Sequence, residues 1–175
     1  MRKISYKYVL AFVLVLVFAA ISMRYFIFGI LTLFSAIFGF YHDRVNKTPY
    51  DFRLTLFMGI IITRQYGLLF TFIYVVLSNV IPNIIAGGRI DGASIIFYGE
   101  FFLVYSIVLL FPSVNIITLG IILVITEAIL GIFINQMFGV PGFVAVSAGA
   151  VAAIVRTIYF LTLGELVMFL FRFVP

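Results

Sequence analysis

The acidic residues of this 175-residue chain divide between polar and apolar surroundings. The three aspartates lie among charged and turn-forming residues, whereas Glu100, Glu127 and Glu165 each stand inside a long apolar run. An ionised carboxylate in hydrocarbon costs about 3 kcal/mol or more unless it faces protein polar groups, water or a basic partner. The glutamates therefore indicate either a polar pocket for a ligand, cation or proton, or internal ion pairs that set helix packing. We expect at least one of the three to be functional.

Arg156 is the basic residue placed most deeply in an apolar run, and its guanidinium stays charged. It therefore requires a carboxylate, a group of carbonyls or an anionic ligand. Arg64, beside Gln65, is expected to reach the membrane interface instead. Polar residues near a glycine-rich stretch would either close over a ligand or form a plain connecting turn. The candidate ligand-binding residues are Asn83, Arg89, Asp91, Glu100, Glu127 and Arg156.

Catalytic and metal-binding patterns are missing from the sequence. His42 is the only histidine and there is no cysteine, so a histidine base within the apolar segments and a thiolate metal site are both excluded. The tripeptide Gly92-Ala93-Ser94 is similar to part of the rhomboid protease serine motif, but Ile95 stands where that motif has glycine. We expect a protein that is not an enzyme and has no metal or cofactor.

Composition places these residues in a membrane protein. Hydrophobic residues make up 65% of the chain and charged residues 10%, whereas a soluble domain has about 25% charged residues. So few charges cannot cover a globule in water, and the solvent must be lipid. The net charge of +5 is scattered over the loops, which indicates membrane topology rather than nucleic-acid binding.

Charged and turn-forming residues divide the chain into apolar segments. A bilayer crossing needs about 20 helical residues, so 54–86 is too long for one helix and is expected to break at Arg64–Gly67. The fold class is all-α, a polytopic transmembrane bundle of six membrane segments, or seven if 54–66 counts. One domain, 1–175, comprises a hairpin 6–41, a polar loop 42–53 and a helical core 54–173. The apolar segments are 6–23, 25–41, 54–63, 67–86, 93–111, 116–138 and 143–173.

Basic residues predict the orientation. The N-terminus and the 42–53 loop carry three Lys or Arg each, which places both on the cytoplasmic side of a cell membrane. The apolar run from Tyr8 to Ile21 is expected to be a retained helix rather than a cleaved signal peptide, because a second run starts at Tyr25. The sequon at Asn46 would then face the cytoplasm and remain unglycosylated.

Small residues form a ladder in the last segment. Ala145, Gly149 and Ala153 recur every fourth residue and would share one helix face. Such a face lets another helix approach closely. Packing within the chain is the default expectation, and a face for a partner subunit is the alternative.

From Asp51 onward the order of features resembles the substrate-binding S component of energy-coupling-factor transporters and the related fold of MreD-type proteins. The matching features are a short apolar segment ending at Gln65-Tyr66-Gly67, a helix to Ile85, the loop Ala86-Gly87-Gly88-Arg89-Ile90-Asp91-Gly92, and three closing helices, with Arg156 at a position where such proteins often carry a basic residue. The first helix lacks the alanine pair at four-residue spacing that S components usually carry. The N-terminal hairpin is also longer than their single helix.

The resemblance implies a protein that binds a small vitamin-like solute in an outward-facing pocket and takes energy from separate subunits. A non-catalytic structural or accessory subunit of a larger membrane complex is the alternative, and a proton- or cation-coupled carrier acting alone is a third. The expected partners are the lipid bilayer, other membrane subunits and a small solute, without nucleic acid.

Overall fold

The structure, a computed structural model, describes residues 12–15, 23–45 and 51–172 of the chain. These residues form helices and connecting turns without a β-strand, so the all-α fold class is confirmed. Most of the first expected segment, 6–23, lies outside the described residues. The count of six or seven membrane segments therefore stays a prediction.

Six helices lie between Met23 and Arg172, in addition to the short helical stretch 12–15, and five of the six are long and apolar enough to span a membrane. The helices are α1 (Met23–Val45), α2 (Thr55–Tyr66), α3 (Leu68–Ile85), α4 (Gly92–Leu110), α5 (Ile116–Met137) and α6 (Gly142–Arg172), and α2 is the one that does not span. Helix α3 contains one π-helical stretch, Val76–Val80. Helices α1 and α3 run in the same direction, because α2 returns the chain between them to the level of Arg24, whereas α3 to α6 alternate in direction.

Helix α2 forms the core of the bundle. Its 12 residues cover about 18 Å, roughly half the hydrocarbon thickness of a bilayer. Residues Thr55 to Thr63 are all buried, and α2 packs against all five spanning helices. A helix that is apolar all round belongs in the interior rather than on a half-exposed face. The short apolar segment expected at 54–63 is therefore a central half-length helix.

The chain reverses between α2 and α3 at Gly67, whose φ of 86° lies in the region that favours glycine. The two helices then lie side by side. Thr63 Oγ1 is 2.8 Å from Thr71 Oγ1, and Asn79 Nδ2 donates to Thr55 Oγ1 at 3.3 Å. The N-terminus of α2 is thereby held deep in the bundle, beside the middle of α3.

The bundle has two ends, named here after one residue at each. At the Arg24 end, the Arg24 side chain donates to the Gln65 carbonyl at 2.7 Å. Arg64 donates to the Val114 carbonyl at 2.5 Å, at the turn between α4 and α5. The Asn83 end contains the last turns of α1, α3 and α5 and the first turns of α4 and α6.

Two elements extend beyond their expected limits. Helix α1 continues to Val45, so His42, Asp43 and Arg44 belong to its last turns rather than to the 42–53 loop. Basic side chains such as Arg44 are favourable at a helix C-terminus. Helix α6 is one helix of 31 residues, about 46 Å long, which exceeds the hydrocarbon thickness and requires tilt or projection from the membrane.

Candidate functional site

A cavity of about 260 Å³ lies between the segment 51–53 and helices α3 to α6. Its lining includes residues near the helix ends at the Asn83 end and residues near the middle of α5 and α6, so it reaches from that end toward the membrane centre. The walls combine aromatic rings, small residues and charged groups. They are formed by Asp51, Arg53, Asn79, Asn83, Ser94, Phe97, Tyr98, Phe101, Glu127, Ala128, Gly131, Asn135, Ala148, Gly149, Ala152 and Arg156.

Arg156 joins two carboxylates at the inner part of the cavity. Its Nη1 donates to Glu127 Oε2, and its Nη2 donates to Asp51 Oδ2 at 2.7 Å. The Arg156 side chain is 3% exposed and that of Glu127 9%. A buried guanidinium with two carboxylate partners avoids most of the penalty that a lone charge would have at this depth.

Arg53 extends the network from the segment before α2. Its Nε lies 2.9 Å from Asp51 Oδ1, its Nη1 donates to Asn79 Oδ1 at 2.8 Å, and Asp43 Oδ1 is 3.6 Å from the same Nη1. Asn79 lies in the π-helical stretch of α3, a kind of irregularity that is frequent at functional sites. The network therefore connects α1, α3, α5, α6 and the segment 51–53.

His42 defines the outer edge of this network and its hydrogen bonds identify its tautomer. The backbone N–H of Phe52 donates to His42 Nε2 at 3.3 Å, so that nitrogen is the acceptor. His42 Nδ1 is then the donor to Asp43 Oδ1 at 3.1 Å. His42 therefore links the segment 51–53 to the last turns of α1.

The segment 51–53 lies outside the spanning helices, and its charged groups are strongly perturbed. Burial opposes ionisation of Asp51, but Arg53 and Arg156 outweigh burial and hold the pKa of the Asp51 carboxyl well below its ordinary value. Burial likewise opposes the charge of Arg53, while Asp51 and Asp43 raise the pKa of its guanidinium. Both side chains are therefore charged across the physiological pH range.

Carboxylates outnumber guanidiniums in the described network, but not in the cavity lining. The carboxylates of Asp43, Asp51 and Glu127 face two guanidiniums, those of Arg53 and Arg156. Asp43, which also contacts His42, lies outside the lining. The two carboxylates and two guanidiniums that do line the cavity present both hydrogen-bond acceptors and donors to a solute.

Three of the six candidate ligand-binding residues line the cavity, namely Asn83, Glu127 and Arg156. Glu100 is buried behind the wall rather than in it. Arg89 and Asp91 are exposed and lie outside the lining. Asp91 caps α4 instead: its carboxylate accepts from the Ser94 backbone at 2.8 Å, which lowers its pKa.

Glu165 and Arg64 lie toward the Arg24 end, away from the cavity. Glu165 is exposed on α6 next to the turn at Asn115, so of the three glutamates Glu100 and Glu127 alone are buried. That position is close to the membrane interface, where a carboxylate can reach water. Arg64 binds a backbone carbonyl at the same end and pairs with none of the three glutamates among the described ion pairs.

The ladder of small residues lies against α5. Ala145 is fully buried, and a Cβ on Gly149 would approach Ile132 Cγ1 to 2.8 Å and the Ala128 carbonyl to 3.3 Å. Ala153 packs against the hydrophobic core. The ladder brings α6 close to α5, and this contact places Arg156 next to Glu127.

Four residues of the ion network were not among the candidates: Asp43, Asp51, Arg53 and Asn79. Asp43, Asp51 and Arg53 were missed because the polar stretch 42–53 has the composition of an ordinary loop outside the membrane. The length of α2 contains the missing signal. A largely apolar helix of 12 residues that ends near an interface must begin near the middle of the bilayer. Asp51 and Arg53, which come just before the start of α2, then also lie toward the middle of the bundle.

Comparison with known proteins finds no family model that matches the chain and no curated protein or solved structure with significant similarity. The class of the protein follows from its own architecture. Five helices long and apolar enough to span a bilayer, with largely apolar exposed faces, make it a multi-pass membrane protein.

Proposed function

We propose that the protein binds a small polar solute in the cavity and serves as the solute-binding component of a membrane transporter whose energy comes from separate subunits. The single observation that carries this proposal is the cavity itself, which joins one end of the bundle to a buried ion network. Sites for small molecules typically combine apolar walls with a few fixed polar groups, as this one does. With segment 6–23 as a further crossing, the chain has six spanning helices.

The likeness to S components supports this reading at the level of helix order. Both have a short apolar segment that ends in a glycine-containing turn, then a helix and a glycine-rich loop, before three closing helices. The charged groups of the cavity lining, two carboxylates and two guanidiniums, suit a solute that carries both hydrogen-bond donors and acceptors. A zwitterionic or polar solute, vitamin-sized or smaller, is therefore the proposed ligand class.

The test is thermal unfolding of the purified chain in detergent against a panel of solutes with cationic, zwitterionic and anionic groups. A solute that binds the folded state alone adds about 2.7 kcal/mol of stability at a hundredfold excess over its dissociation constant. Zwitterionic members of the panel are expected to raise the unfolding temperature more than purely cationic or purely anionic members do.

A matched pair of variants shows whether the cavity is responsible. Ala148 lines the cavity, whereas Ala150 on the same helix is exposed and outside the lining. Ala148→Phe is expected to fill the cavity and remove the response, and Ala150→Phe to retain it. A response that survives Ala148→Phe at full size would count against the cavity as the site.

The second candidate function, an accessory subunit of a larger membrane complex, is favoured by one observation. Glu127 and Asp51 already accept hydrogen bonds from both terminal nitrogens of Arg156, so the network can serve simply to hold the helices together. If no solute in the panel raises the unfolding temperature and a stable partner subunit co-purifies from native membranes, the result supports an accessory subunit over solute binding. Flux through liposomes that contain this chain alone would instead support a self-sufficient carrier.

A further inference from the structure

Glu100 is the buried charged group that the network leaves unused. It lies in α4 and is 6% exposed. Both of its carboxylate oxygens are buried, and neither accepts a hydrogen bond from the part of the chain that the structure describes. An ionised carboxylate in such a position would be among the most unfavourable groups in the protein.

The charged neighbours of Glu100 do not neutralise it. The charged residues that face it are Glu127 on α5, which repels it, and Arg156 on α6, which attracts it. Arg156 is already bound to Glu127 and Asp51. The other helices packed against α4 are α2, with Arg64 at its far end bound to Val114, and α3, which has no charged residue.

Glu100 lies close to the cavity although it does not line it. Gly131 on α5 forms part of the cavity wall, and a Cβ placed on this glycine would be 3.9 Å from Glu100 Oε1. Phe97 and Phe101, on the same helix as Glu100, also line the cavity. The cavity wall beside the Glu100 carboxyl therefore consists of the Gly131 backbone and the rings of Phe97 and Phe101, without a further helix between them.

We propose that Glu100 is a proton-binding site that exchanges its proton with the cavity and is occupied at neutral pH. Protonation neutralises the Glu100 carboxylate without any other bound group. A metal cation would need several oxygen ligands around it, and the described residues contain no group of three acidic or histidine side chains suited to a metal ion. This inference goes beyond solute binding and holds whether or not a solute binds.

The test is infrared spectroscopy of the purified chain in lipid nanodiscs without any solute. The wild type is expected to show the carbonyl band of a protonated carboxylic acid at neutral pH, shifted in heavy water. Glu100→Gln is expected to remove this band. Glu165→Gln, which changes the exposed glutamate, is expected to leave it in place.

Two further variants keep the result decisive. Glu100→Asp retains an acid and is expected to move the band, which answers the question even if the glutamine variant does not fold. Ala148→Phe, which fills the cavity, is expected to slow exchange of the acid proton for deuterium severalfold. Exchange at the wild-type rate in this variant would overturn the connection to the cavity.

A wild-type spectrum with no band that depends on Glu100 would overturn the proton site. A band that disappears when sodium replaces a bulky organic cation would overturn it in favour of a metal cation. The spectrum and the solute panel test the two proposals independently. A Glu100 band without any stabilising solute would contradict solute binding and leave the proton site standing. A stabilising solute without a Glu100 band would contradict the proton site and leave solute binding standing.

Discussion

Arg156 Nη2 lies 2.7 Å from Asp51 Oδ2, although the two residues are 105 positions apart in the chain. This ion pair fixes the segment before α2 to the middle of α6. The same guanidinium binds Glu127 on α5, so one side chain connects two spanning helices and the entry to the central helix.

Removal of the Arg156 charge tests how strongly the protein depends on this connection. Arg156→Gln leaves Glu127 and Asp51 facing each other without their shared cation in a buried site. We expect a loss of about 3–5 kcal/mol in the free energy of unfolding, as for other broken buried ion pairs. Thermal unfolding in detergent measures the loss, and Arg89→Gln, an exposed loop change, is the control that leaves stability unchanged.

The pairing itself is tested by a second substitution. Arg156→Gln combined with Glu127→Gln removes both charges of the pair and leaves Asp51 with its other partner, Arg53. Recovery of a substantial part of the lost stability is expected, because no unpaired charge remains on α5. Simple addition of the two single losses would show that Glu127 and Arg156 do not interact.

Asp51 predicts a specific behaviour in acid. Its folded pKa is depressed, so its stabilising contribution is complete above the unfolded value of about 3.9 and is lost as the pH falls through the folded value. The stability difference between wild type and Asp51→Asn is therefore expected to stay constant from neutral pH to about pH 4. Unfolding curves across a pH series measure it, and a difference that closes at mildly acidic pH would contradict the depressed pKa.

Helix packing at α2 predicts a contrast between two glycines. A Cβ on Gly59 would overlap the ring of Tyr105, which donates to the Thr55 carbonyl at 3.0 Å. Gly99 in α4 has open space around it. Gly59→Ala is expected to lower the free energy of unfolding by about 1–3 kcal/mol through overpacking.

Gly99→Ala is the matched control and is expected to leave stability unchanged or raise it by up to about 1 kcal/mol, because alanine favours helix more than glycine does. Equal effects of the two substitutions would show that α2 and α4 do not approach as closely as described.

The arrangement of the two ends predicts a labelling pattern. The native chain has no cysteine, so single cysteines can be placed freely. Val45 and Arg89 are exposed at the Asn83 end, and Ser113 is exposed at the Arg24 end. A membrane-impermeant maleimide applied from one side is expected to label Val45→Cys and Arg89→Cys together and to leave Ser113→Cys unlabelled, or the reverse.

The same labelling determines the direction in which the cavity faces. The C-terminal end of α1 and the cavity mouth both lie at the Asn83 end. The sequence predicts a cytoplasmic 42–53 segment and an outward-facing pocket, and only one of these two predictions can be correct. Labelling of Arg89→Cys from outside the cell supports an uptake component. Labelling of Arg89→Cys from the cytoplasm alone would show that the cavity opens toward the cytoplasm. Labelling of Arg89→Cys and Ser113→Cys from one side would contradict the helix directions.

Hydropathy and charge were sufficient to predict a multi-pass helical membrane protein, and the turns near Gly67, Pro112 and Pro141 were placed within a residue or two of their positions. These features are local, because each depends on whether a short stretch of chain prefers lipid or water. Spacing also singled out Glu127 and Arg156 as buried charges that need partners, without naming the partners.

The tertiary structure alone decided which charges meet. Asp51 and Arg53 look like loop residues in the sequence and lie in the buried network in the structure, because α2 is too short to cross and begins deep in the bundle. Glu165 looks as buried as Glu127 but lies toward the Arg24 end. Hydropathy records how apolar a segment is, whereas the depth and facing of one side chain depend on how the helices pack.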